Sequence, residues 1–184
     1  MIGIQIGGQP LAGFDQPIEL LKDCHRRIEH FLGSLQHVAH QFGNGELPDQ
    51  ARRALETALD YFAHAAPRHT ADEEESLFPR MRRSGDAEIS AVMAELDRLE
   101  EDHRRAEVCH AQVDTIGRDW LKSGTITDSQ RTTLSALLDE LVLLYKGHIE
   151  LEDQRVFEVA AKVLKPGDLE EVGTEMRRRR FDSD

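Results

Sequence analysis

The sequence predicts an all-α protein, and three observations carry that prediction. Long stretches run without Gly or Pro, β-branched residues rarely cluster, and aromatics make up 5% of the chain against 32% charged residues. Apolar residues recur at helical spacing through four successive segments separated by short Gly- or Pro-bearing turns. Short connections set consecutive helices side by side, so the expected architecture is an antiparallel up-down-up-down four-helix bundle with an extended N-terminal arm. With 184 residues, one compact domain can bury a sufficient core without staples.

Residues 1–14 mix Gly and Pro with isolated apolar side chains and read as the arm. Asp15 is a good N-cap and Pro17 suits a first turn, so the first helix starts there. Its stripe is Ile18, Leu21, Ile28, Leu32 and Leu35, with His25 inside it, and Gly43-Asn44-Gly45 stops it. The second helix is expected from about Gln50 to Met81, on Leu55, Leu59, Phe62, Leu77 and Phe78. Pro67 removes one backbone hydrogen bond and bends it just before His69, and Pro79 marks the approach to its end. After the turn Ser84-Gly85-Asp86, the third helix carries Ile89, Val92, Met93, Leu96, Leu99 and Val113 towards Trp120, with His103 in its middle. Thr127 or Asp128 caps the fourth, on Leu134, Leu137, Leu138, Leu141, Leu144, Val156 and Phe157, and Lys165-Pro166-Gly167 ends it. The bundle thus occupies 15–165. Residues 166–184 form a C-terminal tail whose run Arg177–Arg180 reads as a solvated terminus neutralising acidic surface.

The net charge of −12 argues against nucleic acid or an anionic membrane surface as partner. No apolar run reaches the length of a membrane span, and the N-terminus lacks a basic region followed by an apolar core, so a cytoplasmic location is expected. Cys24 and Cys109 are too few for a disulfide framework and lack zinc-site spacing; they read as half-buried small hydrophobes in a reducing compartment.

One motif occurs twice. In His69-Thr-Ala-Asp-Glu73 and His148-Ile-Glu-Leu-Glu152 a histidine precedes a glutamate by four residues, and Phe78 and Phe157 follow the histidines by nine. Four residues of α-helix advance by about 6 Å and turn about 40° past a full turn, so imidazole and carboxylate share a face as a two-donor unit for a metal ion. A lone His stands 44 residues before His69 and 45 before His148, namely His25 and His103. One helical hairpin therefore appears twice, and an approximate two-fold would bring the four histidines to one level of the core. Buried there with carboxylates, they need a cation to satisfy them. Imidazole with carboxylate suits iron, manganese or zinc, and the absence of thiolates from the motifs argues against an iron–sulfur centre. Glu107, four after His103, adds a third such pair.

These residues, with His25-Arg-Arg-Ile28 and Leu77-Phe78-Pro79, resemble the hemerythrin-like, or HHE cation-binding, family over about residues 15–165. The resemblance implies two non-haem iron ions, oxo- or hydroxo-bridged, that meet O2 or related small oxidants. By position, His25 and His69 ligate one iron, His103 and His148 the other, and Glu73 and a carboxylate of the fourth helix bridge them. Oxygen-carrying members have a second histidine four after that of the third helix, where this chain has Glu107, and bridge with an aspartate five after the last histidine, where it has Asp153. By analogy with Glu73, Glu152 is the preferred bridge and Asp153 the alternative. The expected metal set is thus His25, His69, Glu73, His103, Glu107, His148 and Glu152. If Glu107 binds, the site is harder and more negative than a carrier's and favours ferric iron, peroxide or oxidase-type chemistry, or redox sensing.

The function expected is binding, sensing or detoxification of O2, H2O2 or NO by a monomer or weak homo-oligomer, with a peroxide-decomposing, catalase-like or oxidase enzyme as the alternative. A ferritin-like carboxylate di-iron protein wants two Glu-x-x-His motifs, and only Glu100–His103 fits. His110, seven after His103, lies about 10 Å further along the axis and cannot reach the same ions. His30, His37, His40 and His64 read as surface or half-buried residues. Tyr145, one turn before His148, reads as core packing ahead of an electron- or proton-passing role.

Overall fold

The computed structural model describes residues 12–43 and 45–182, and among them there is helix and no strand. The expected arm falls mostly on residues 1–11, outside the described residues; at its end the Ala12 backbone N–H donates to the buried Asp23 carboxylate at 2.7 Å. The helices are α1 (Pro17–Phe42), α2 (Asp49–His64), α3 (Ala66–Ala71), α4 (Phe78–Arg83), α5 (Ala87–Ser90), α6 (Met93–Ser123), α7 (Asp128–Leu151), α8 (Phe157–Val163) and α9 (Pro166–Phe181). Two π-helical stretches join α3 to α4 and α7 to α8, π1 (Asp72–Leu77) and π2 (Glu152–Val156). No helix is long and apolar enough to cross a membrane.

Local chemistry accounts for most boundaries. α1 opens on Pro17, whose fixed φ suits a first turn. Pro67 is the second residue of α3, where its missing N–H costs nothing, so the expected bend becomes a break at Ala65. Pro79 sits in the first turn of α4 for the same reason, and helix continues to Arg83. Asp86 caps the short α5 by accepting from the Glu88 N–H at 2.7 Å. Thr127 caps α7 in a reciprocal box: its hydroxyl accepts from the Gln130 N–H at 3.2 Å, and the Gln130 side-chain carbonyl accepts from the Thr127 N–H at 3.0 Å. Gly85 and Gly124 turn the chain after α4 and α6 at φ 66 and 80, which a β-carbon would resist.

The described residues group into two compact units. The first takes the chain up to Arg26, Arg68–Arg98 and the chain from Glu150; the second takes Arg27–Pro67 and Leu99–Ile149. In the first unit the core holds Leu21, Leu77, Phe78, Met81, Leu96, Val156, Phe157, Val172 and Met176, all fully buried. Val172 and Met176 belong to α9, so residues expected as a solvated tail form a packed helix. α9 runs so close to the N-terminal segment that a β-carbon on Gly173 would clash with the Phe14 carbonyl oxygen. The second unit packs Ile28, Leu32, Leu35, Leu55, Leu59, Phe62, Val113, Trp120, Leu138 and Leu141 into a continuous apolar cluster. Cys24 and Cys109 are buried thiols.

Candidate metal centre

In the first unit His25 on α1, His69 on α3, Glu73 on π1 and Glu152 on π2 meet, each at most 4% exposed. His25 Nε2 lies 3.0 Å from a Glu152 oxygen and 3.9 Å from a Glu73 oxygen, and His69 Nε2 lies 3.3 Å from that same Glu73 oxygen. Each of the four residues offers one donor atom, and these atoms all lie within 4.8 Å of one another. Donors about 2.0–2.2 Å from an ion stand at most about 4.4 Å apart, so a small inward adjustment closes this set on one metal. Two imidazoles and two carboxylates are a donor set for iron, manganese or zinc.

The surroundings hold that geometry. His25 Nδ1 is 2.8 Å from Asp153 Oδ1, the carboxylate support that fixes which ring nitrogen faces a metal. The imidazole stacks on the Phe157 ring at 5.4 Å with 8° between planes, and meets His69 edge-on at 4.9 Å. Burial alone would push the His25 pKa down; hydrogen bonds to Asp153 and Glu152 and the charges of Glu152 and Glu73 overcome it and raise it to about 10. The carboxylates thus draw positive charge to this point, and a divalent ion answers the same demand more fully.

Both π-helical turns include the motif glutamates, Glu73 as the second residue of π1 and Glu152 as the first of π2. The Phe78 N–H bonds back to the Glu73 carbonyl and the Phe157 N–H to the Glu152 carbonyl, five residues apart in each case. In a straight α-helix a residue nine after the histidine points roughly 180° away from it. A π turn advances less angle per residue, which swings the trailing Phe back towards the core, and both rings are fully buried. The matching Phe after each motif was the signal for these turns, and helical periodicity alone does not read it.

In the second unit His103 on α6 and His148 on α7 bring their Nε2 atoms to 3.1 Å, with His148 buried and His103 half-buried. His148 Nδ1 stands 3.8 Å from the buried Asp102 carboxylate. Tyr145 is buried, its hydroxyl 3.0 Å from His110 Nε2 and its ring centroid 6.3 Å from that of His148. His110 also stacks on Phe62, and burial lowers its pKa to about 4, so it is a neutral core imidazole. Glu107 is corrected: it is exposed and joins no group of metal donors among the described residues. One turn beyond His103 on α6, its side chain faces water. His30, His37, His40 and His64 are exposed.

Residues 16–160 match the hemerythrin HHE cation-binding domain. The chain belongs to that family. It is also 27% identical over 173 residues, 94% of either chain, to an uncharacterized protein of Haemophilus influenzae. In this hemerythrin-type chain Glu152 stands among the donors, while Asp153, one residue on, turns to the far nitrogen of His25. The sequence offered both carboxylates for one role; the structure sets them against opposite nitrogens of the same imidazole. It missed the nearness of Asp102 to His148, since an acidic residue directly before a histidine has no helical-face signature.

Proposed function

We propose that this chain is a non-haem di-iron protein that binds, senses or detoxifies O2, hydrogen peroxide or nitric oxide, on an antiparallel four-helix bundle. In that reading His25 and His69 would hold one iron and His103 and His148 the other, with Glu73 and Glu152 supplying the carboxylates. The observation that carries this reading is the buried group of His25, His69, Glu73 and Glu152 with donors within 4.8 Å, in a chain of the HHE cation-binding family. Iron held there supplies redox chemistry and an affinity for small oxygen and nitrogen ligands. Asp153 orients His25, and the Phe157 ring stacked on the imidazole covers one of its faces. His25, His69, Glu73 and Glu152 are themselves at most 4% exposed, which keeps bulk water from them.

A second reading, a peroxide-decomposing or oxidase enzyme at the same centre, draws on the Tyr145–His110 pair. A buried phenol hydrogen-bonded to a neutral imidazole can give up a proton inside an apolar core. Glu107, being exposed, lends that reading nothing.

Iron content with the visible spectrum tests the proposal. About two irons per chain with charge-transfer absorption are expected; zinc in iron's place, or no metal after iron is supplied, overturns it. Turnover of H2O2 by the loaded protein then selects the enzyme, and its absence the binder.

A further inference from the structure

α9 lies beyond the residues that match the family domain, yet its polar side chains converge on π1. Asp72, the residue before Glu73, is fully buried and accepts from Arg179 Nη1 at 3.0 Å and Arg180 Nη2 at 2.6 Å. Arg179 also reaches the buried Ser76 hydroxyl at 2.9 Å and the Glu75 carboxylate at 3.1 Å. In the opposite sense, Arg80 on α4, three residues past π1, donates to Glu171 at 3.0 Å and to Glu175 at 2.8 Å on α9.

We propose that α9 is a latch that positions the metal-binding carboxylate of π1, with Arg179 and Arg180 as positioning residues acting through Asp72. This rests on the metal-site reading above. A π turn is intrinsically disfavoured and persists only where its surroundings over-determine it. A buried aspartate is costly unless charge-assisted bonds satisfy it, and both guanidiniums that do so come from α9. The next residue along the same turn is Glu73, so the ties that fix Asp72 also fix the carboxylate aimed at His69. At π2 the polar ties come from elsewhere: Asp153 holds His25, and Arg155 pairs with Glu95 on α6. π1 is therefore the turn whose shape depends on α9.

Two measurements on the full chain test this, with Arg179→Gln/Arg180→Gln as the main variant. Asp72→Asn, nearly equal in volume, is the second, and Lys162→Gln, at the exposed pair with Glu88, is the control. In the metal-free protein, amide hydrogen exchange across residues 72–77 should quicken about tenfold in both variants while residues 152–156 stay protected. In the iron-loaded protein, release of iron to a chelator should reflect affinity weakened about 10- to 100-fold, and the charge-transfer band should shift. The control should match the parent in both. Unchanged exchange in π1 overturns the latch. Faster exchange with unaltered iron release and spectrum overturns the positioning role. A parent chain that takes no iron sinks the metal reading and the positioning role with it, while the exchange result still decides whether α9 holds π1.

Discussion

The two halves of the internal repeat have unequal chemistry. In the first unit each histidine faces a glutamate, His25 is backed by Asp153 at 2.8 Å, and all four donors are buried. In the second, His103 and His148 face each other, His103 is half-buried, the Asp102 carboxylate stands 3.8 Å from His148 Nδ1, and the Tyr145 ring lies beside His148. A sequence repeat fixes where histidines fall on a helix but not what supports them. Support comes from residues outside the motif, and it sets how rigidly a donor is held.

The comparison breaks most severely at Glu73. Glu73→Ala removes a donor and the partner of His69, and should abolish stoichiometric iron by metal analysis; full retention would show that the first unit is not the site. The support carboxylates come next. Asp153→Asn should weaken iron binding about 10- to 100-fold in a competition titration, and Asp102→Asn by less than about tenfold. Equal losses would erase the contrast between the halves.

His110 sharpens it through pH. Its folded pKa is depressed to about 4 by burial, from an ordinary 6.5. Between those values the unfolded chain binds a proton that the folded chain refuses, so stability is complete above pH 6.5 and falls as pH drops towards 4. The loss amounts to about 3 kcal/mol at most. His110→Phe should flatten this part of the stability profile in denaturant melts of the metal-free protein; an unchanged slope would show that another group sets it. The smallest effect is expected at Glu107. Glu107→Ala should leave iron content, spectrum and stability within about 0.5 kcal/mol of the parent, since surface changes away from special features rarely do more.

Much of the fold was legible because helices announce themselves locally. The stripe of Ile18, Leu21 and Ile28, the caps at Asp86 and Thr127 and the glycines at 85 and 124 act within a few residues of their own backbone. The break at Ala65 and the placing of Pro79 in the first turn of α4 differ from the expected bend and end only in where proline's missing N–H is absorbed. α9 was read as a solvated tail because its charges hide the burial of Val172 and Met176 and the grip of Arg179 and Arg180 on Asp72. Its partner residues lie about a hundred positions earlier, and no local pattern carries that distance.

The sequence by itself determined the helical class, the family and the histidines and glutamates able to hold a metal, because helical periodicity converts spacing into a shared face. Only the tertiary structure decided that Asp153 supports His25, that Glu107 faces water, and that the chain widens into π turns at Glu73 and Glu152. Those outcomes turn on which way one residue more or less rotates a side chain, and on what a distant helix places opposite it.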